Sequence, residues 1–522
     1  MKTRGRNNMN RRDLLIVGAS GGVLGAARAQ SKMPESIQSP LNVRRFGAVG
    51  DGVHDDTNAL QKAIDYACNN KLQLAIPGTP QSYLISDSLP IPHGKHDWAI
   101  TGDAGRVTIM QTADNKPIFE FSSRGNDYRD TTNRAFNMRN LRAAWTRNQS
   151  IANSESTMFL FDDGGYADFQ IDNCENHNGC RLVATREVQA PGRPLNVWGC
   201  VLSHLFSGYA ASGAAIRLRT NPVEGMPNIL ISHLYALRQM AEEELIHLAG
   251  CASVNIDNVE INFGRGPQLV CWGGTTEVNV RSWRMEQCTI VDTPRKVIFD
   301  LSGDGPREGT YRFQGVEMRF TTIDSSQPHS VFHASAGAQL IIDGYQEVAT
   351  TRKSGALTVA TTQDARIQFR SMADINSPHI FLLDSPHLAD VSFATTEVLR
   401  FFKDGLTPGM NHAPNDAPSV VKGQVIGAAG WIWAIEASLD ADVTAGQIEL
   451  MVFKNGLPID SGMMKLAVTK GAGGARVATV IKNTNHSDYH VRPGDRVHFE
   501  ISTDQPFSGP KNAIFNLMVA NI

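Results

Sequence analysis

From residue 72 onward the chain alternates apolar and polar positions in short runs, the period of half-buried strands. WAITG, FNMRNLRAA, FQIDNCEN, LNVWGCVLS, NILISHLYAL, VNIDNVEIN, VNVRSWRMEQ, YRFQGVEMRF, LIIDGYQEV and RIQFRSMAD all read this way. Turn residues (Gly, Asn, Asp, Pro) punctuate the chain between them. One earlier stretch has a different period. Leu60, Ala63, Ile64 and Ala67 recur at helical spacing and predict one amphipathic helix. Asp55, Asp56 and Thr57 stand where its N-cap oxygens belong. A lone helix ahead of many strands suits a lid over the open end of a stack, which would otherwise be a sticky edge.

The strands repeat. Aligned on Ile100, Met138, Ile171, Val197, Ile231, Ile256, Val280, Phe313, Ile342 and Phe369, they recur at intervals of 24 to 38 residues. Such an irregular period fits a solenoid whose turns carry insertions of different length. The aligned residues are expected to point inward as a ladder, with their neighbours pointing out. Residues 402–418 are rich in Pro, Gly, Asn and Asp and read as a linker. Beyond them GWIWAIEASL, GQIELMVFKNG, ARVATVIKN, DRVHFEIST and AIFNLMVANI predict a small β-sandwich or jelly roll over 419–522, with turns at Asn455-Gly456 and Pro493-Gly494-Asp495. Trp431 and Trp433 share a face there, as core residues or, alternatively, as a sugar-stacking platform.

Composition narrows the function. The 522 residues carry a formal net charge of -3, so no general basic surface points to nucleic acid. A polyanion would need a local basic patch. Residues 1–29 read as an export signal: basic residues, an apolar run from Leu14 to Leu24, then Ala27-Arg28-Ala29. Arg11-Arg12-Asp13-Leu14-Leu15 is similar to a twin-arginine signal, with a general secretory signal as the alternative. No other segment is apolar enough to span a membrane, so a periplasmic or extracellular protein is expected. The 7 cysteines, an odd number with no Cys-x-x-Cys, are expected to be mostly free and buried. Cys174 and Cys180 are the one close pair worth testing.

The stretch NVRRFGAVGDGVHDDTNALQKAID, followed by LAIPG and SYLI, resembles the N-terminal entry of the pectate-lyase-like superfamily over residues 41–90. That group includes rhamnogalacturonase-like and polygalacturonase-like proteins and phage tailspikes. The resemblance implies an all-β chain, a right-handed parallel β-helix over 41–401 with an N-terminal capping helix, and action on a polysaccharide. The polygalacturonase motifs (Asn-Thr-Asp, Asp-Asp before Gly-His-Gly, Arg-Ile-Lys) are not present in order, so none of that family's catalytic residues is carried over. Gly47–Gly52 fits neither a dinucleotide nor a phosphate loop, and Asp51, His54, Asp55 and Asp56 do not have calcium-loop spacing.

Polysaccharide cleavage needs either two carboxylates, for a hydrolase, or a base and a cation beside a uronate carboxylate, for a lyase. Four residues after their inward anchors come Glu175, Glu260, Arg284 and Glu317. With Glu286 they give the candidate catalytic set Glu260, Glu286, Glu317 and Arg284. Glu175, Asp257, Arg281, Arg319, Asp162 and Asp163 are candidates for binding substrate. A solvated ladder of alternating charge is the competing reading. Glu242-Glu243-Glu244 reads as a solvated loop. No metal site is expected, although Ca²⁺ enters where the reaction is a lyase. The partner expected is a polysaccharide, acidic or complex. The rival functions are a non-catalytic polysaccharide-binding module and a structural protein; tailspike-like β-helices often form homotrimers.

Overall fold

A computed structural model describes residues 40–103, 107–122, 133–162, 164–186, 196–208, 211–220, 228–237, 243–291, 297–302, 309–324, 330–352, 357–361, 365–373, 379–383, 396–404, 420–425, 430–439, 443–459, 465–469, 476–480, 490–503, 506, 508 and 512–521. The expected export signal and Asp163 lie outside these residues, as do the side chains of Trp431 and Trp433.

The strands alternate between two long parallel sheets. The front sheet runs through Leu41–Asn42, Gln73–Ile76, Ala99–Gly102, Asn137–Arg139, Gln170–Asp172, Val201–Ser207, Ile229–Leu237, Ala252–Asn262, Thr276–Glu286, Thr310–Arg319, Gln339–Val348 and Arg366–Ala373. The rear sheet takes the next strand of each coil, from Leu89–Ile91 to His379–Leu383. Each strand pairs with its counterpart one coil later, which makes the chain a parallel β-helix.

The inward ladder follows the predicted register closely. Ile100, Met138 and Ile171 are in register, as are Ile231, Ile256, Val280, Phe313, Ile342 and Phe369. Val197 is the exception. Leu202 occupies its rung, between Ile171 and Ile231. Val197 instead pairs with Tyr166 in a small third sheet. The segment LNVWGCVLS is two strands, divided at Gly199, whose positive φ of 62° turns the chain.

The front-sheet coils anchored from Met138 to Ile342 also bend after the anchor, at one left-handed residue: Asn140, Asn173, His204, His233, Asn258, Ser282, Gly315 or Gly344. The bend shifts the alternation by one position. Leu205, Leu234, Val259, Trp283 and Val316 therefore point inward as well and are buried. Outward residues fall at anchor +1 and anchor +4, on either side of the corner.

Both ends of the stack are covered. The helix Thr57–Asn70 buries Leu60, Ala63, Ile64 and Ala67 against the main core, as its periodicity predicts. Its N-terminus differs from expectation. Asp55 accepts the backbone N–H of Thr57 at 2.9 Å, but the buried Asp56 carboxylate turns away and accepts the N–H groups of Val49 and Gly50 at 2.7 and 3.0 Å. Asp56 thus fixes the glycine loop and makes no side-chain bond at the helix end. At the other end, His379–Leu383 pairs antiparallel with Arg476–Val480 of the C-terminal sandwich. That sandwich stacks a sheet of Thr396–Asp404, Asn512–Asn521, Gly430–Leu439 and Arg476–Val480 on one of Val420–Val425, Arg496–Thr503, Gln447–Lys454 and Lys465–Thr469. Ile435, Leu450, Phe499 and Phe515 are in its core. Residues 402–404 are the end of the strand Thr396–Asp404, and the rest of the expected linker, 405–418, lies outside the described residues. The Asn455-Gly456 turn forms as read, with φ of 54° and 82°.

None of the seven cysteines forms a disulfide and all are buried, including Cys174 and Cys180. Burial pushes the thiols of Cys68, Cys174, Cys251 and Cys288 up to about 12. The expected result of titration with a thiol reagent at pH 8 is no reaction in the native protein and complete reaction in guanidinium. Rapid native labelling of Cys174 or Cys180 would contradict the packing described.

His498 gives a second prediction. It is buried in the sandwich, stacked on Phe453 at 5.0 Å, with Glu500 at 3.7 Å. Burial lowers its pKa below the ordinary 6.5, and the opposing pull of Glu500 is weaker. As pH falls through 6.5 the unfolded chain gains a proton that the folded chain refuses. Stability must therefore drop from pH 6.5 downward until the folded pKa is reached. Melting curves of wild type and His498→Asn between pH 7.5 and 5 are expected to converge as pH falls, the wild type losing more.

Candidate active site

The corner of the front sheet carries three outward files. On one side of the bend Arg139, Asp172, Ser203, Ser232, Asp257, Arg281 and Gln314 are in register. On the other side the file is Thr108, Arg142, Glu175, Phe206, Tyr235, Glu260, Arg284, Glu317 and Gln346. A third file holds Leu237, Asn262, Glu286 and Arg319. Side chains within a file stand about 4.8 Å apart, close to the length of one sugar unit.

Glu175, Glu260, Arg284 and Glu317 thus do share one file, as their common spacing from the anchors predicts. Asp257 and Arg281 lie across the bend from them, and Glu286 and Arg319 lie two residues further along. The file divides into two chemically distinct parts. In the distal part, Glu317 accepts from Arg284 Nε at 3.1 Å and from Arg319 Nε at 2.5 Å, and Arg284 lies 3.9 Å from Glu260. This is a ladder of alternating charge. Both oxygens of Glu317 are taken.

The proximal part forms a cleft. Two adjoining hollows of about 530 and 540 Å³ share Arg142, His177 and Phe206. Buried Glu175 accepts from Arg142 Nε at 2.8 Å and from His177 Nε2 at 2.9 Å through the same oxygen, Oε2. With Nε2 donating, the neutral His177 ring keeps the lone pair of Nδ1 free. Next come aromatic surfaces. His177 lies 5.7 Å from Phe206, and Phe206 lies 5.8 Å from Tyr235. Tyr235 Oη accepts from Asn262 Nδ2 at 2.9 Å, so the phenol keeps its own proton to donate. The left-handed corner adds two stacked imidazoles, His204 and His233, 4.7 Å apart. Asp172 holds His204 Nδ1 at 2.8 Å and accepts Ser203 Oγ at 2.7 Å. Burial pushes the Asp172 carboxyl up, but the Ser203 and His204 hydrogen bonds outweigh it and leave it below the usual range.

The predicted residue Asp162 lies elsewhere. It is buried at the end of a rear-sheet strand, 3.6 Å from Arg186, which also holds Glu120 at 2.9 Å. Glu243 and Glu244 are not a solvated loop. Both are buried, because Arg181 and Arg217 draw them onto the rear sheet. Arg142, His177, His204, Phe206, His233 and Tyr235 were absent from the predicted set. Arg142 and Tyr235 sit at the same +4 spacing as Glu175, so the signal was available. Phe206 and His204 were hidden by the choice of Val197 over Leu202. Among the described residues, no three His, Cys, Asp or Glu side chains come together as a metal site. Among the same residues no helix is long and apolar enough to cross a membrane.

Residues 41–178 match the family model described as rhamnogalacturonase A/epimerase, pectate lyase-like. Comparison with curated proteins gives no match. Similar solved structures include the tailspike protein of Acinetobacter baumannii phage AM24, at 10% identity and TM-score 0.40, covering 93% of this chain and 84% of that one. The Dettilon tailspike protein is similar at 11% identity and TM-score 0.39, covering 90% and 95%. The enzymatically active domain of tailspike protein 4 of bacteriophage CBA120 is similar at 11% identity and TM-score 0.42, covering 93% and 67%.

Proposed function

We propose that this chain, whose residues 41–178 match a pectate-lyase-like family model, is an exported enzyme that cleaves an acidic polysaccharide along the front-sheet corner. The observation that carries the proposal is the Arg142–Glu175–His177 cluster at the edge of an aromatic floor.

The chemistry follows from the groups. Arg142 pairs with the uronate carboxylate and offsets the charge that builds there when the C5 proton leaves. His177, oriented by Glu175, takes that proton on Nδ1. The C5–H electrons form the C4–C5 double bond, the bond from C4 to the bridging oxygen breaks, and that oxygen takes a proton from Tyr235. Phe206 supports the sugar ring between them. A lyase-type reaction suits this cleft better than hydrolysis, since Arg142 and His177 supply a cation and a base side by side, while Glu175 and Asp172 each hold an imidazole. Glu260, Arg284, Glu317, Glu286 and Arg319 continue the same surface, and Asp257 and Arg281 flank it. All are proposed as further binding rungs.

The test is to incubate the protein with acidic and neutral polysaccharides, with and without Ca²⁺, and follow reducing ends and unsaturated-uronate absorbance together. Both signals rising supports the proposal. New ends without absorbance would move the chemistry to Glu260 and Glu286 as a hydrolytic pair. Binding with no products would leave a polysaccharide-binding module, and silence on every substrate with no binding would sink both.

A further inference from the structure

The rear sheet carries a polar construction that the proposed reaction does not use. Its outward files place Arg217 next to His247, and Arg219 next to Ala249 and then Trp272. Trp272 is an exposed tryptophan, 38% accessible, yet its ring is fixed. Its Nε1–H donates to His247 Nε2 at 2.6 Å, and the two rings meet edge to face at 5.2 Å. His247 is itself buried, with Nδ1 3.4 Å from Glu244, and Arg217 lies 3.8 Å from the same carboxylate. The indole N–H donates only, so His247 Nε2 must be the acceptor and its proton sits on Nδ1. The buried His247 imidazole therefore holds one exposed aromatic plane at a set angle. The hydrogen bond reaches back toward the preceding strand, where Ala249 presents only a methyl group. Arg219, exposed, stands on the strand beyond.

We infer that Trp272 and Arg219 form a second sugar-binding site, on the rear sheet, for one uronate unit of an acidic glycan. The pyranose C–H face stacks on the indole, over the low floor at Ala249, and the carboxylate meets the Arg219 guanidinium. A rigid aromatic plane beside a cation matches an acidic sugar, which has one apolar face and one anionic edge. A neutral sugar would use only half of it.

The site is separate from the front-sheet cleft, so it is tested with that cleft disabled. In the Arg142→Ala/His177→Ala protein, calorimetric titration with trimers of galacturonate, mannuronate and glucuronate is expected to retain binding of at least one. Adding Trp272→Ala should weaken that binding about tenfold or more. Adding Arg219→Gln should weaken it similarly and bring its affinity down to that of neutral maltotriose. Both side chains are exposed, and unchanged melting curves would confirm that the fold is kept. Absence of binding in the disabled background overturns the inference, as does binding indifferent to Trp272, or equal affinity for maltotriose before Arg219 is changed. If the wild type cleaves nothing but Trp272-dependent binding persists, the front-sheet proposal fails and this one stands.

Discussion

Replacing His177 with alanine is expected to reduce turnover of an acidic polysaccharide by about a thousandfold, within the range seen for loss of a general base. The expectation rests on three features of one side chain. His177 is half-exposed in the cleft, its Nε2 is committed to Glu175, and its other nitrogen is left for the substrate. Glu175 acts through the imidazole and is a positioning residue. Glu175→Gln keeps the shape but offers His177 a weaker acceptor, so a smaller fall in kcat with little change in KM is expected. Arg142→Ala should do the reverse in part, raising KM for acidic polymers while also lowering kcat, because the cation acts in both ground and transition states. If His177→Ala retained wild-type turnover, the cleft could not be the reacting site.

Replacing Glu243 with alanine is expected to give the largest loss of stability, about 3–5 kcal/mol. Glu243 is buried and is held by both Arg181 and Arg217, Arg181 Nε standing at 3.1 Å and Arg217 Nη1 at 3.2 Å. It also accepts the backbone N–H of Ala214 at 2.7 Å. Gly213 is part of the arrangement, since a Cβ there would stand 2.5 Å from Glu243 Oε2. Arg181 is buried even more completely than its partner. Removing the carboxylate strands that guanidinium in a site water cannot reach, and the penalty for an unpaired buried charge far exceeds the net worth of the pair. The double change Arg181→Met/Glu243→Leu is therefore expected to cost less than Glu243→Ala alone. As a control, Glu317→Gln should shift the urea midpoint little, because its two arginine partners are 40–44% exposed and screened by solvent. A midpoint for Glu243→Ala equal to that of Glu317→Gln would contradict this view of the rear sheet.

The fold was legible in the sequence where a residue's position follows from its neighbours. The helix stripe at Leu60, Ala63, Ile64 and Ala67 needs only a period, and the inward ladder from Ile231 to Ile342 needs only strand alternation with one apolar anchor in each coil. Val197 failed because Gly199 breaks LNVWGCVLS into two strands, and strand alternation carries no mark of a corner until the positive φ is known. That error of one rung hid His204 and Phe206. Glu175 was found by its +4 offset from Ile171, whereas Arg142, at +4 from Met138, was passed over. The rear-sheet cluster was not legible at all. Arg181 and Glu243 lie 62 residues apart, and only the stacking of coils brings them together. Asp56 shows the same limit on a smaller scale, since its sequence context suits a helix cap while its carboxylate serves the loop amides of Val49 and Gly50.

The most direct test of the central claim is to determine the structure of the His177→Ala protein with an acidic oligosaccharide bound. The account predicts sugar units lying along the file from Arg142 to Tyr235, with one ring on Phe206 and one carboxylate on Arg142. A chain bound elsewhere, with the front-sheet cleft empty, would contradict it.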